Sequence, residues 1–189
     1  MKDDLNGLTA RQREYKRSLL EHVRKIPFEI LSRRPPLKAY VRDIMTTQFD
    51  TIASDATVEK AIQMIVDGRI RETGDKTISL LVLDKVQMFV GIISMADILY
   101  HLRPDFLNYG INGEEVDWTG QFDMAIKQVK EKKVSQLMSS NIVGASADEH
   151  LMVILDRMVK HKYRRLPVLE NGRLVGVVYV SDIYHHIFA

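Results

Sequence analysis

The sequence predicts an α/β (α+β) protein built from two β-α-β-β-α repeats that pack with pseudo-twofold symmetry. Three observations support this prediction. Apolar residues at helical spacing recur 93 positions apart, two pairs of short apolar runs have the length of strands, and each pair ends in a Gly-x-x-x-x-x-Asp segment. The chain has 189 residues, of which 46% are hydrophobic and 28% charged, an ordinary balance for a globular protein.

Residues 1–40 form a basic segment that is predicted to be a helix followed by a linker. Thr9 is a plausible cap, and Leu19, Val23 and Ile26 share one helical face, while residues 33–36 (Arg-Arg-Pro-Pro) indicate an extended linker. The segment has a formal charge of +5, and the remainder of the chain −3. Two interpretations stay open, a basic arm that contacts nucleic acid or a partner, and a solvated helix. Mixed charges and few interleaved aromatics favour the second.

The first repeat covers residues 41–103. It opens with Val-Arg-Asp-Ile-Met at 41–45, and 51–52 predict a short strand. The i, i+3, i+4, i+7, i+8 spacing of the next apolar residues predicts one buried helix face, made of Val58, Ala61, Ile62, Ile65 and Val66. The runs 78–83 and 89–93 predict strands, and a helix containing Ile98 and Leu99 follows Asp97.

Residues 104–133 connect the repeats, with a loop and then a short helix on which Phe122, Ile126 and Val129 are the apolar positions. The second repeat covers 134–189. Its apolar helix positions lie 93 after those of the first, and Gly176 and Asp182 lie 85 after Gly91 and Asp97. The first repeat therefore has eight additional residues, which we place between its helix and its second strand. Asn-Gly at 171–172 predicts a tight hairpin turn.

The uncovered face of each predicted sheet explains why two copies are needed. Two helices cover one face of the sheet, and the other face is apolar and costly to expose to water. Two copies can bury these faces against each other, sheet on sheet. This packing leaves two equivalent clefts, and the Ser or Asp at the end of each hairpin is expected at a cleft mouth.

The motifs of both repeats resemble the cystathionine-β-synthase (CBS) domain family. They are the opening Val-x-x-x-Met at 134–138, the Arg-Leu-Pro-Val strand at 165–168, and the closing Gly-x-h-Ser-x-x-Asp (h apolar) at 91–97. The resemblance covers residues 41–103 and 134–189. It implies a two-repeat disc, often dimeric, that binds adenosine-containing ligands in its clefts, such as an adenine nucleotide or S-adenosylmethionine, with no required cofactor.

The resemblance also implies ligand-binding residues. Family members use the closing Ser or Thr for a phosphate and the Asp for ribose hydroxyls, and Ser94 and Asp97 match both positions. The alternative is that Asp97 only caps the following helix. In the second repeat Asp182 matches, but Tyr179 replaces the Ser or Thr. Tyr179 could stack on a base or fill the cleft.

Basic residues are expected to neutralise a ligand's phosphates. His161, Arg164 and Arg165 cluster before the Pro-containing strand of the second repeat. In the family such residues reach a ligand held by the partner repeat, so Arg164 or Arg165 would serve the Ser94/Asp97 site with a bidentate guanidinium. A solvated basic turn is the alternative for each of them.

Composition and motifs exclude several other classes of function. The chain has no cysteine, no apolar run of membrane-spanning length and a polar N-terminus, which favour a cytoplasmic protein without disulfides. His185-His186 lacks the further ligands of a metal site, and no phosphate loop or nucleophile elbow occurs, so we expect no enzyme. We interpret the chain as a stand-alone regulatory module that forms a homodimer, senses an adenosine-type ligand and signals to an effector protein. The alternatives are a dimerisation module without ligand and a nucleic-acid-associated regulator that uses residues 1–40.

Overall fold

The computed structural model describes residues 9–11, 13–14, 17–18, 21, 39–70, 74, 76–110 and 112–188. The chain divides into two compact units, residues 1–38 and 39–189. In the first unit the described residues from 10 to 21 are helical, and the Arg13 N–H donates to the Thr9 carbonyl at 3.0 Å. Leu19, Val23, Ile26 and the linker 33–36 lie outside the described residues. Within the described part of the chain, no helix has the length and apolarity that crossing a membrane requires.

The second unit contains both repeats. The elements of the first repeat are β1 (Thr51–Ala53), α1 (Val58–Val66), β2 (Ser79–Leu83), β3 (Phe89–Ser94) and α2 (Met95–Leu102). The connector holds two 3-10 turns and α3 (Gln121–Glu131). The second repeat consists of α4 (Val134–Leu137), α5 (Leu151–His161), β4 (Arg165–Glu170), β5 (Arg173–Tyr179) and α6 (Val180–Phe188).

Each repeat contributes one small sheet, and the two sheets differ in their first strand. In the first repeat β1 pairs in parallel with β2, and β2 pairs antiparallel with β3. In the second repeat β4 and β5 pair antiparallel, but the expected first strand is reduced to a single bridge between Ala145 and Val168. Gly144 stands just before it, where a Cβ would lie 2.6 Å from the Leu169 side chain. The glycine allows this close approach and weakens the strand.

The register of the hairpins corrects the predicted place of the additional residues. Leu81 of β2 pairs with Ile92 of β3, and Pro167 of β4 pairs with Val177 of β5 at the equivalent place. Strands β2 and β4 are therefore offset by 86 positions in the sequence, and β3 and β5 by 85. Seven of the eight additional residues therefore lie between α1 and β2, and the eighth lies in the first hairpin turn. The second turn is tight as predicted, with left-handed φ angles of 51° at Asn171 and 76° at Gly172.

Helices α1 and α5 confirm the predicted repeat of apolar positions. Thr57 caps α1 and His150 caps α5, each accepting a backbone N–H with its side chain. Most of the predicted apolar positions face the sheet, but Val66 and Val159 are 62% and 67% exposed. Both end the apolar stripe at its edge, so the helix turns them outward in the two repeats alike.

The opening segment of each repeat packs into the core of the other repeat. Val41 belongs to the core formed by α5, β4, β5 and α6, and Val134 and Leu137 belong to the core formed by α1, β2, β3 and α2. Val41, Val134 and Leu137 are at most 2% exposed. The two cores are therefore completed by exchange between the repeats.

Backbone hydrogen bonds also join the residue after each opening segment to the last strand of the other repeat, and they form an equivalent pair. Thr46 forms an antiparallel bridge with Val177, and Ser139 forms the equivalent bridge with Ile92. Gly91 and Gly176 lie beside these contacts. A Cβ on Gly91 would lie 2.6 Å from the Ser139 carbonyl oxygen, and one on Gly176 would lie 3.2 Å from the Thr46 carbonyl oxygen. Each closing glycine therefore lets the opening segment of the other repeat approach closely, and the approach is tighter at Gly91.

The two sheets face each other through an apolar cluster between the repeats, as predicted. Its buried members come from β2, β3 and β5 and are Leu81, Ile92, Val177 and Tyr179. Half-buried Phe49, Phe89, Ile142 and Leu174 complete it. This cluster shows which face of each strand is turned toward the other repeat.

The connector helix α3 lies on the outer side of the first repeat. It packs against α1 and α2 and buries Val129. Between the three helices runs an apolar groove whose lining includes Ile62, Leu99 and Ile126. Before α3, the Trp118 ring stacks on Phe106 with centroids 6.0 Å apart, which orders the connector.

Candidate functional site

Ser94 and Asp97 meet where β3 ends and α2 begins. The Asp97 carboxylate oxygen Oδ2 accepts from the Ser94 N–H at 2.8 Å and from Ser94 Oγ at 2.5 Å, and the Asp97 N–H donates to Ser94 Oγ at 3.3 Å. This is a capping box, with Ser94 as the cap and Asp97 in the first turn of α2. Helix α2 therefore begins at Met95, two residues before Asp97. The sequence had indicated a start after Asp97. Both side chains are half-buried.

A third side chain reaches this carboxylate from the other repeat. Ser139 Oγ donates to Asp97 Oδ1 at 2.9 Å. Ser139 is exposed and follows the opening segment of the second repeat. Sequence reasoning did not select it, although a hydroxyl residue follows the opening Met in both repeats, as Thr46 and Ser139. The Thr46 hydroxyl instead accepts from the Gln48 N–H at 3.2 Å.

Ser79 lies directly opposite Ser94 in the pairing of β2 with β3. Side chains of directly paired residues project from the same face of a sheet. Ser79 also precedes Leu81 by two positions, so it shares the face that looks toward the other repeat. Sequence reasoning missed Ser79 as well, because the residues alone do not set the strand register.

The corresponding end of the second hairpin is built from larger side chains. Tyr179 takes the place of Ser94 and is only 7% exposed. The Arg165 guanidinium carbon lies 5.3 Å from the centre of the Tyr179 ring, a cation–π arrangement. Asp182 lies in the first turn of α6, and Ser181 Oγ donates to its Oδ1 at 3.3 Å.

The other predicted basic residues lie at the surface. Arg164 is exposed, and its carbonyl accepts from the Val180 N–H at 3.0 Å. His161, also exposed, stacks on Tyr163 with ring centroids 5.3 Å apart. The structure thus joins Ser94 with Asp97 and Arg165 with Tyr179. That His161, Arg164 or Arg165 contacts a ligand stays a prediction.

Metal and titration chemistry add little to these ends. Across the described ranges, no group of three or more His, Asp or Glu side chains has the geometry to hold a metal ion. In the connector, hydrogen bonds from the Thr119 side chain and backbone hold the pKa of Asp117 below its ordinary value of 3.8. We call the end of the first hairpin, with Ser94 and Asp97, the first end, and the end with Tyr179 and Arg165 the second end. The polar groups at the first end are one carboxylate, of Asp97, and three hydroxyls, of Ser79, Ser94 and Ser139.

Two segments of the chain, residues 41–104 and 134–189, match the CBS domain family. Among curated relatives, the chain is 31% identical over 99 residues to the zinc metalloprotease MJ0392 of Methanocaldococcus jannaschii, an alignment with 52% of this chain. It is 23% identical over 144 residues, or 76% of its length, to a homoserine O-acetyltransferase of Methanococcus vannielii. The chain spans 27% and 24% of the length of these two relatives.

Solved structures agree with this assignment. The CBS-domain protein ATU1752 of Agrobacterium tumefaciens superposes with a TM-score of 0.59 at 18% identity, covering 82% of this chain and 98% of that one. CBSX2, solved in complex with AMP, gives 0.57 at 20% identity over 79% and 96% of the two chains. The CBS domain pair of MJ0100, solved with 5′-methylthioadenosine and S-adenosyl-L-methionine, gives 0.54 at 21% identity over 78% and 94%. With two matched segments and a shared fold, the chain belongs to the CBS domain family as a tandem pair.

Proposed function

We propose that this chain is a regulatory module that binds an adenosine-type ligand at the Ser94/Asp97 end and signals to a partner protein. The observation that carries the proposal is the Asp97 carboxylate, which lies where the two repeats meet and accepts hydroxyl groups from both. The ligands of related pairs support it, since CBSX2 was solved with AMP and MJ0100 with 5′-methylthioadenosine and S-adenosyl-L-methionine.

The chemistry of Asp97 suits a ribose. An ionised carboxylate accepts hydrogen bonds only, and two vicinal hydroxyls present two donors to it. In the chain, Oδ2 is held by Ser94 of the same repeat and Oδ1 by Ser139 of the other. A ribose hydroxyl can take the place of Ser139, because that serine is exposed and its bond is a single one. Ligand binding would then change a contact between the repeats, which is a physical route for a signal.

The remaining predicted ligand contacts have smaller roles in this proposal. Asp182 would hold a ribose less well than Asp97, since Tyr179 stands where the first repeat has Ser94. Arg164 and His161 would contact a ligand only through an anionic group such as a phosphate. Arg165 would do so only by leaving the Tyr179 ring, over which its guanidinium lies. A ligand without phosphate would leave these three side chains unused.

Substitution of the two aspartates tests the proposal. Asp97→Ala should weaken binding by about tenfold to a hundredfold, since charge-assisted hydrogen bonds contribute about 1.5–3 kcal/mol. Asp182→Ala is the matched control and should change affinity less. Thermal shift with AMP, ADP, ATP, S-adenosylmethionine and NAD would select the ligand, because a ligand of the native state raises Tm. Calorimetry would then measure each variant.

Two outcomes would contradict the proposal. Affinity lost only with Asp182→Ala would move the site to the other end. Absence of binding by the wild type with every adenosine ligand would favour the second candidate, a structural module that assembles without ligand. One observation favours that candidate, since the carboxylate of Asp97 already accepts hydrogen bonds from Ser94 and Ser139 within the chain.

We also propose that the module is a homodimer joined through the outer faces of α2 and α6. Leu99 and Tyr184 are 60% and 62% exposed on these helices. The sequence predicts apolar interface faces near Ile98/Leu99 and Ile183/Ile187, and Ile187 is indeed 36% exposed. Ile98 and Ile183 are instead 9% and 2% exposed, because each belongs to the core of its own repeat. The exposed apolar area that remains on α2 and α6 supports an interface.

Light scattering at micromolar concentration tests the dimer. Tyr184→Glu should shift the mass from two chains to one, because a charge buried in an apolar interface is costly. Met124→Glu, at a position 63% exposed on α3, is the matched control and should leave the mass unchanged. A wild type that is a monomer under these conditions would contradict the proposed interface.

A further inference from the structure

The hydroxyl group of Ser79 is buried without a hydrogen bond. Ser79 is 4% exposed, and within the described part of the chain its Oγ has no hydrogen-bond partner. A buried polar group without a partner costs about 1–3 kcal/mol, so native structures rarely leave one. Because Ser79 shares the strand face of Leu81, this hydroxyl faces the other repeat.

The neighbours of Ser79 are the polar groups of the candidate site. Ser94 is its direct cross-strand partner. Ser94 and Ser139 both donate to Asp97, which leaves Ser79 as the hydroxyl of this end that bonds to no described protein group. A molecule bound at this end would supply the hydrogen-bond partner that the buried Ser79 hydroxyl lacks.

The second repeat fills the same two positions with bulky side chains. Arg165 pairs with Tyr179 across β4 and β5, as Ser79 pairs with Ser94 across β2 and β3. The guanidinium lies over the tyrosine ring, and the ring is 7% exposed. Thus an aromatic ring and a planar cation occupy the second end, and two small hydroxyls stand at the first.

We infer that Ser79 contacts the ligand directly and that the chain binds one ligand molecule, because Arg165 and Tyr179 occupy the second end in place of a ligand. The inference rests on the proposed binding of an adenosine-type ligand at Asp97. A serine hydroxyl both donates and accepts, so it can bond to a ring nitrogen or a hydroxyl of a nucleoside. The unpaired Ser79 Oγ gains its partner when the ligand binds.

Calorimetric titration of the full chain with the adenosine ligand selected by thermal shift tests both parts. Ser79→Ala should weaken binding about three- to tenfold, the equivalent of one hydrogen bond. Without ligand its Tm should equal or exceed that of the wild type, because the substitution removes an unsatisfied polar atom. Ser135→Ala, at an exposed serine of α4, is the matched control and should leave affinity unchanged.

The stoichiometry separates the two ends. The wild type should bind one ligand per chain. The double variant Arg165→Ser, Tyr179→Ser opens the second end and should bind two ligand molecules per chain. Its Tm without ligand should be lower than that of the wild type, and added ligand should partly restore it. A folded double variant that still binds one ligand would show that these side chains do not keep the end empty.

The outcomes distinguish this inference from the function on which it rests. A wild type that binds but is matched by Ser79→Ala overturns the assigned contact alone. Two molecules per wild-type chain overturn the single site alone. A wild type that binds no adenosine ligand overturns the proposed function and this inference together.

Discussion

The ends of the two hairpins are related by the pseudo-twofold axis, yet they are built from opposite kinds of side chain. At the first end, Ser79 and Ser94 are small and polar, and Asp97 accepts hydroxyl groups from both repeats. At the second end, Arg165 covers Tyr179, and the ring joins the apolar cluster between the sheets. Two backbone contacts that cross between the repeats do match, the pairing of Thr46 with Val177 and that of Ser139 with Ile92.

This difference shows that the contacts that join the two repeats are distinct from the side chains that we propose bind a ligand. Backbone bridges and glycine contacts between the repeats do not depend on the side chains at the hairpin ends. Two residues per end therefore distinguish a polar end, with Ser79 and Ser94, from an end filled by the Tyr179 ring and the Arg165 guanidinium. Stability should depend strongly on the filled end and ligand binding on the polar end.

Truncation of the tyrosine should have the largest effect on stability. Tyr179→Ala should lower the free energy of unfolding by about 3–5 kcal/mol, because it leaves a cavity between the sheets. Urea denaturation measures this loss, and Tyr179→Phe, which keeps the ring, is the control. A loss below about 0.5 kcal/mol, the usual range of a surface substitution, would show that the second end tolerates an empty space.

The closing glycines should come next. A Cβ on Gly91 meets the Ser139 carbonyl oxygen at 2.6 Å, and the nearest atom to a Cβ on Gly176 is Met45 Sδ at 2.9 Å. Gly91→Ala should cost about 1–3 kcal/mol, the range for overpacking, because backbone must move. Gly176→Ala should cost less, since a methionine side chain can rotate. Thermal unfolding compares them, and the reverse order would contradict the clash geometry.

Loss of the helix cap should have a moderate effect. Ser94→Ala should cost about 0.5–2 kcal/mol, the range for N-caps, because the Asp97 N–H loses its acceptor. Ser94→Thr retains a hydroxyl and should restore most of the stability. Equal unfolding midpoints for Ser94→Ala and the wild type would mean that the capping box contributes no stability.

The bond between the repeats should have the smallest effect. Ser139→Ala removes one exposed hydrogen bond to Asp97 and should cost about 0.5–1.5 kcal/mol. Thr46→Val, at the equivalent position, removes a hydroxyl that bonds locally to Gln48 and should cost less. Hydrogen exchange of β3 amides would report the local change. Similar losses of stability for Ser139→Ala and Thr46→Val would contradict the difference that we describe between these two equivalent positions.

Local patterns made most of the fold predictable. Helices α1 and α5 followed from apolar spacing, the second hairpin turn from Asn171-Gly172, and the sheet-on-sheet packing from the apolar strand faces. The prediction that Val66 and Val159 are buried was wrong, because spacing alone does not show where the apolar stripe on a helix ends. The reduced strand near Ala145 was missed because the close approach of Leu169 to Gly144 is a tertiary contact.

The candidate site was predictable only in part, for a related reason. Ser94 and Asp97 stand in a recognisable motif on one continuous segment. Ser79 reaches Ser94 through strand register, and Ser139 reaches Asp97 through the crossing of the opening segments. Both relations join residues that are distant in the chain, and a single sequence holds no direct record of them.

The exchange of opening segments has a consequence for how such a chain arises. A chain with one repeat would lack Val134 and Leu137 in its core, and could complete that core only by trading segments with an identical copy. Joining two copies makes this trade intramolecular and independent of protein concentration. Identical copies must also change together at every position, whereas joined copies evolve separately. Only the joined form allows serines at one hairpin end and an arginine with a tyrosine at the other.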